Sequence, residues 1–162
     1  MNRSLSSSTS IMRPLCPHEI FFYGTPLTFS PAAADTILAH FQDTGRTPAF
    51  YDRIITGDLG KLGSELLLEL LKQEGVTLSN HDDCGMMIFD LEKQDVHCGG
   101  SGCGCCASVL TGYLLGEVAR GKWSNILFCP TGALHSPTAS FQGESIPGIC
   151  HAIAISSPKS SG

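Results

Sequence analysis

Four cysteines and four glycines crowd into residues 98–106, CGGSGCGCC, immediately before a long apolar pattern of helical period. Glycine permits positive φ angles and close backbone approach, so free N–H groups of such a turn face whatever lies there. A helix N-terminus adds about half a positive charge. The turn therefore predicts a site for a carboxylate, a phosphate or a developing oxyanion. Its candidate residues are Gly99, Gly100, Ser101, Gly102 and Cys103.

The same turn could also serve packing, nucleotide binding or metal binding. The glycines would also suit a turn that is only tightly packed, with the cysteines as small buried hydrophobes. No Lys followed by Ser or Thr comes after the last glycine and no G-x-G-x-x-G is present, so nucleotide binding is not indicated. Adjacent Cys105 and Cys106 point about 100° apart on a helix, which argues against zinc. We expect no metal and no cofactor.

A cysteine at a helix N-terminus is also a candidate nucleophile, because the helix dipole lowers a thiol pKa. Cys103 or Cys105 would then need a nearby base, for which His97, His135 and His151 are the candidates. Sequence alone does not place any of these imidazoles beside a thiol.

Two further polar features follow buried strands. Asp58 lies in TGDLG after a β-branched run, at the strand end where α/β proteins place ligands. The equal alternative is that Asp58 caps the leucine-rich helix that follows. Residues 131–147, TGALHSPTASFQGESIP, form a polar loop between apolar strands, from which we select Ser136 as a candidate ligand-binding residue.

Alternating helical and strand patterns must position these residues. Ser30 and Pro31 predict a helix N-terminus, and Gly45 its end. The order of the predicted elements is helix 30–45, strand 54–55, helix 64–75, strand 86–89, helix 105–120 and strands 125–132 and 148–155. This alternation predicts an α/β fold with helices layered on a mixed sheet. We assign residues 30–157 to the domain and 158–162 to a tail, and expect residues 1–29 to be poorly ordered or at most a short strand.

Composition excludes several classes of protein. The chain has 162 residues, 42% of them hydrophobic and 15% charged, which suits one globular domain. Its formal charge is −5, and no basic run appears, so nucleic acid is not expected as a partner. No apolar run reaches the roughly 18 residues that a membrane span needs. Eight cysteines without a secretory signal pattern favour reduced thiols.

Several stretches resemble a known family. In order, PAAADTI, YDRIITGDLG, HDDCGMMIFD, GGSGCGCCASV and TGALHSPTASFQGESIPGICHAI are similar to the C-terminal half of the stage V sporulation protein AD family, over about residues 30–155. That resemblance implies the C-terminal half of a thiolase-like fold. The N-terminal half, which carries the nucleophilic cysteine in catalytic thiolase-like enzymes, would be lacking. Their C-terminal half supplies a histidine, and a second histidine or an asparagine, at places that here correspond to Gly57 or Asp58 and to Cys103.

Because neither place holds an imidazole, the resemblance implies binding in preference to catalysis. It implies a non-catalytic module that binds dipicolinic acid, alone or as its calcium chelate, and supports its uptake into the forespore. The implied partners are other stage V sporulation A proteins of a membrane channel, and the location is soluble or peripheral at the forespore inner membrane. Exposed apolar surface on a half-domain predicts self-association. The alternatives are an acyltransferase-like enzyme with a cysteine nucleophile and a nonfunctional truncated remnant.

Overall fold

The structure is a computed structural model that describes five parts of the chain. They are residues 6–14, 25–99, 102–133, 142 and 148–157. Of the predicted site residues, Gly100, Ser101 and Ser136 lie outside these parts, and so does His135.

Helices and strands alternate along the described residues, as the sequence predicts. The strands are β1 (Ser6–Pro14), β2 (Arg53–Thr56), β3 (His81–Asp83), β4 (Asn125–Cys129), β5 (Thr131–Ala133) and β6 (Gly148–Ser156). The helices are α1 (Thr25–Thr44), α2 (Gly60–Gln73), α3 (Cys84–Met87), α4 (Cys105–Val109) and α5 (Leu115–Ala119); a 3₁₀ turn (Pro48–Phe50) precedes β2, and a π-helical turn (Leu110–Leu114) joins α4 to α5. The predicted helix 105–120 is therefore one helical stretch with a π turn inside it.

The strands form one mixed sheet, which confirms the predicted α/β class. Its order is β1-β6-β4-β2-β3, with β5 also paired to β6. β2 runs parallel to β3 and to β4, whereas β6 is antiparallel to β4, β5 and β1. Since β3, β2 and β4 are parallel neighbours, their carboxyl ends lie at the same edge of the sheet. The candidate site is built at that edge.

Helices cover both faces of the sheet. Neighbouring residues of β2 show the division, because Ile54 packs on one face and Ile55 on the other. The first face packs on α1 and α2 through buried residues that include Ile37, Leu67, Leu71 and Leu127. The second packs on α4 and α5 through buried residues that include Val109, Leu114, Val118 and Ile126. Each fully buried aliphatic side chain contributes about 1.5–3 kcal/mol, so both helix layers hold the sheet that positions the site.

The first helix begins earlier than predicted. It starts at Thr25 and has Pro31 inside it, whereas the sequence indicated a start at Ser30. Thr25 and Pro26 repeat the hydroxyl-proline pair of Ser30 and Pro31 five residues earlier, and proline fits the first turn of a helix. The Ser30 hydroxyl, buried and not at a helix start, donates to the Gly63 carbonyl oxygen at 2.8 Å and so joins α1 to α2.

One other predicted helix start and one predicted strand are wrong. α2 begins at Gly60 and not at Ser64. The predicted strand at residues 86–89 is replaced by α3, and the strand of this region is the polar β3 immediately before it. A short apolar run fits either a buried strand or a helix. Here the Asp83 carboxylate accepts the Gly85 N–H at 2.9 Å and caps α3, which decides for the helix.

Within the described ranges, no helix is both long enough and apolar enough to cross a membrane.

Candidate functional site

Three segments that are distant in sequence meet at the carboxyl edge of the parallel strands. Asp58 follows β2, Thr131 follows β4, and Gly102 belongs to the glycine turn before α4. The Thr131 hydroxyl donates to Asp58 Oδ1 at 2.9 Å, and the Gly102 N–H donates to Asp58 Oδ2 at 3.3 Å. One carboxylate therefore links the loop after β2 to the start of β5 and to the glycine turn.

The loop after β2 approaches β5 so closely that a side chain would not fit. A Cβ on Gly57 would lie 2.7 Å from the Thr131 amide nitrogen and 2.8 Å from its Oγ1. Contacts this short force the backbone to move. Gly57 therefore allows the approach that brings Asp58 within hydrogen-bond distance of Thr131.

These contacts bear on the two interpretations of Asp58. The N-cap residue of α2 is Leu59, whose side chain makes no capping hydrogen bond. The Asp58 carboxylate is instead directed to Thr131 and Gly102. Asp58 thus has bonds to two segments at the carboxyl edge of the sheet, and two N–H groups at the α2 N-terminus are bound by another residue.

That residue is Asp83, the last residue of β3, which is 1% exposed. Its Oδ1 accepts the Thr56 hydroxyl at 2.7 Å and the Leu59 N–H at 3.0 Å. Its Oδ2 accepts the Gly60 N–H at 3.0 Å and the Gly85 N–H at 2.9 Å. Burial raises the pKa of Asp83, and the four donors act in the opposite direction by stabilising the ionised form.

Thr56 connects this carboxylate to a half-buried imidazole. The Thr56 hydroxyl has one proton, which it donates to Asp83, so it accepts its bond from His81 Nε2 at 3.0 Å. This assignment places the His81 proton on Nε2. Desolvation lowers the pKa of His81 to about 4, so the ring is neutral at pH 7.

The entrance to the glycine turn packs against the groups that Asp83 holds. The Lys61 N–H donates to the Cys98 carbonyl oxygen at 2.7 Å. Gly60 has φ of +65°, and a Cβ there would lie 2.6 Å from the same oxygen. Gly99 has φ of +107°, and a Cβ there would lie 2.6 Å from the Gly85 carbonyl oxygen. Positive φ and these close contacts require glycine at both positions.

Cys105, one of the two candidate nucleophiles, does not have the lowered pKa that the nucleophile hypothesis needs. Burial raises the pKa of Cys105 to about 11, and it also raises the pKa of Cys106 and of Cys84. These thiols are protonated at pH 7. Cys103 is exposed. In the parts of the chain that are described, no hydrogen bond joins Cys103 or Cys105 to a histidine.

The predicted site residues are thus only partly brought together. Asp58 and Gly102 are in contact, and Gly99 lies at the base of the turn. Cys103 follows Gly102 on the exposed surface. The placement of Gly100, Ser101 and Ser136 stays a prediction. Among the described side chains, no group of three or more His, Cys, Asp or Glu residues is arranged to hold a metal ion.

Sequence reasoning missed Asp83. Its signal is weak but present: an Asp two residues before a glycine, at the end of a short polar strand, matches a side-chain cap on a following helix. The apolar run after it, interpreted as a strand, hid that pattern.

Comparisons with known proteins agree with the resemblance found in the sequence. The sequence profile of the family described as stage V sporulation protein AD (SpoVAD) matches residues 24–156. The chain is 44% identical over 127 residues to stage V sporulation protein AD of Bacillus subtilis (strain 168). The alignment covers 78% of this chain and 37% of that relative, so the chain spans little more than a third of the relative's length.

Proposed function

Because this chain belongs to the stage V sporulation protein AD family, a family of sporulation proteins, we propose that it is a non-catalytic module that binds dipicolinic acid and supports its uptake into the forespore. The proposed site is the glycine turn with Asp58, together with the polar loop that contains Ser136. One observation carries the proposal: the Gly102 N–H and the Thr131 hydroxyl converge on a carboxylate.

That convergence supports a carboxylate ligand. Two donors from separate segments already hold the Asp58 carboxylate, one of them a backbone N–H of a glycine turn that opens a helix. Backbone N–H groups in such turns suit carboxylate oxygens. A ligand carboxylate would bind beside Asp58 and share these donors or replace Asp58 on one of them.

The charge of the edge favours the calcium chelate over the free dianion. The sequence has no Lys or Arg in residues 94–119 or 123–158, which include the turn and the polar loop. Asp58 contributes a negative charge there, and like charges about 5 Å apart at an effective dielectric of about 20 repel by about 3 kcal/mol. A one-to-one chelate of a divalent cation with a dianion has no net charge, so we expect the chelate to bind more tightly.

The thiol chemistry supports a binding role. The raised pKa of Cys105 leaves almost no thiolate at neutral pH, and a thiol without a base is a poor nucleophile. We therefore assign the buried Cys105 to packing and to the shape of the site. The thiolase-like fold that the resemblance implies is part of this proposal.

Titration calorimetry with dipicolinate, with and without calcium, tests the proposal. We expect measurable binding of the calcium chelate and weaker binding of the free dianion. Asp58→Asn should weaken chelate binding about tenfold, because it removes a charge that faces the cation. Asp95→Asn removes the same charge from a side chain that is 93% exposed, and should leave binding unchanged. Absence of binding of either form to the unmodified chain would refute the proposed function.

Partners and location belong to the same proposal. We propose that the chain acts with other stage V sporulation A proteins at the forespore inner membrane, as a soluble or peripheral component. We also propose self-association, which exposed apolar side chains such as Leu62 and Tyr113 would favour. Sedimentation velocity over a range of protein concentrations measures it, and a monomer throughout would contradict it.

A further inference from the structure

Among the described residues, Asp83 is the buried carboxylate with the most hydrogen bonds, and its four bonds go to Thr56, Leu59, Gly60 and Gly85 outside the glycine turn. We propose that Asp83 is the positioning residue of the candidate site: it holds the loop that carries Asp58 and the segment that enters the turn. The inference concerns the site of the proposed function, and it rests on that function only for the effect on ligand binding.

On the loop side, Asp83 acts on the residues that directly follow Asp58. Its two carboxylate oxygens accept the Leu59 and Gly60 N–H groups, both at 3.0 Å. Those two N–H groups lie at the α2 N-terminus, where no helical partner exists for them. The backbone on the C-terminal side of Asp58 is thereby fixed. Gly57 is fixed on the other side by its close packing on Thr131.

On the turn side, Asp83 acts through Gly85 and Gly60. It accepts the Gly85 N–H at 2.9 Å, and the carbonyl oxygen of Gly85 packs directly against Gly99. Gly60 packs against the Cys98 carbonyl oxygen, which also accepts the N–H of the next residue of α2. Cys98 and Gly99 therefore lie on two backbone groups that a single carboxylate holds. Removing that carboxylate releases both supports together.

Thr56 and His81 in turn hold the Asp83 side chain in position. The Thr56 hydroxyl donates to it at 2.7 Å and is held in turn by His81 Nε2. Each Asp83 oxygen accepts two bonds, and protonation would turn one of these acceptors into a donor, so the ionised form fits all four bonds best. The titratable groups that face Asp83 from the surrounding elements are His81, Cys84, Cys105 and Cys106.

Amide hydrogen exchange of the ¹⁵N-labelled chain tests the inference without any ligand. Asp83→Asn should speed exchange at Leu59, Gly60 and Gly85 by at least about tenfold, because the charged acceptor is lost. Exchange at Ile126 and Leu127, in the centre of the sheet, should change much less. Asp82→Asn is the matched control, because its side chain is 42% exposed and pairs with Arg53 at the surface. Should Asp83→Asn fail to fold, Thr56→Val removes a single donor and should give the same pattern at smaller amplitude.

Two further measurements separate a positioning role from general stabilisation. The Gly60 and Gly85 amide proton shifts should titrate together on acidification, above the ordinary pH range of an aspartate, and this titration should vanish in Asp83→Asn. Alkylation of the exposed Cys98 thiol should also change rate in the variant, because the turn entrance shifts.

The inference is overturned if the folded variants keep wild-type exchange at Gly60 and Gly85, or if the altered exchange spreads evenly over the sheet. These results do not depend on dipicolinate. If the unmodified chain fails to bind dipicolinate while the exchange pattern appears, the proposed function fails and the positioning role stands. If the chain binds dipicolinate and Asp83→Asn binds it equally well, the positioning role fails and the function stands.

Discussion

Two carboxylates at one edge of the sheet have opposite environments. Asp83 is 1% exposed and accepts four bonds of 2.7 to 3.0 Å. Asp58 is half-buried, and the N–H that reaches it from the exposed glycine turn is 3.3 Å away. The buried carboxylate binds three backbone N–H groups and one hydroxyl, whereas the outer one lies beside an exposed turn. Asp58 and the glycine turn are conspicuous in the sequence, but the backbone around them is held by Asp83, which is not.

The largest expected effect comes from the buried carboxylate. Asp83→Asn replaces the charged acceptor of four donors with a neutral amide, and should lower the free energy of unfolding by about 3 kcal/mol. Urea denaturation followed by circular dichroism measures it. Asp82→Asn, one residue away and at the surface, should cost less than about 1 kcal/mol. Equal losses for the two variants would remove the contrast between buried and outer carboxylates.

The contact between Gly60 and the entrance of the glycine turn should affect stability nearly as much. Gly60→Ala places a methyl group at φ of +65° and 2.6 Å from the Cys98 carbonyl oxygen, and should cost about 3 kcal/mol. Gly45→Ala is the matched control, because Gly45 also has φ of +65° but has nothing within 4 Å of the added carbon. It should cost about 1 kcal/mol. If thermal and urea unfolding give the two variants the same stability, the close contact at the turn entrance is not there.

Acid should lower the stability of the fold through protonation of His81. The folded-state pKa of His81 is about 4, below the ordinary value of 6.5, so the unfolded chain binds the extra proton in this window. Stability is therefore complete above pH 6.5 and falls as the pH drops toward 4, by at most about 3 kcal/mol. His81→Gln keeps a donor to Thr56 and does not titrate, so its stability should fall less over the same range. Parallel pH profiles for both proteins would contradict this.

The smallest effect on stability is expected at the outer carboxylate. Asp58→Asn keeps the shape and one acceptor oxygen, and should change the free energy of unfolding by less than about 0.5 kcal/mol. Its effect should appear in ligand binding. A loss of stability as large as that of Asp83→Asn would make Asp58 a structural residue and would weaken its assignment to the site.

Sequence patterns predicted what depends on local periodicity. The strand at Ile54 and Ile55 and the helical stretch from Cys105 follow from apolar spacing and from nearby glycines. The α/β class follows from their alternation. The meeting of Asp58 with the glycine turn was expected only in general terms, because parallel strands bring their carboxyl ends to one edge.

The rest depends on contacts between distant residues. The start of α2 at Gly60 is set by Asp83, which lies 23 residues further along the chain. The pKa of Cys105 is raised because burial outweighs the helix terminus, and burial of a single thiol is not visible in the sequence. The sequence predicted a start of α1 at Ser30, but the Ser30 hydroxyl bonds to the Gly63 carbonyl oxygen inside the protein, and the helix begins at Thr25.

The central claim, that the glycine turn and Asp58 bind a carboxylate ligand, is tested most directly by nuclear magnetic resonance of the ¹⁵N-labelled chain. Calcium dipicolinate would be added up to millimolar concentration while each amide signal is followed. The largest saturable shifts are expected at Gly102, Thr131 and Asp58, with little change at Gly45 and in the sheet centre. No saturable shift, or shifts that leave Gly102 and Thr131 unchanged, would contradict it.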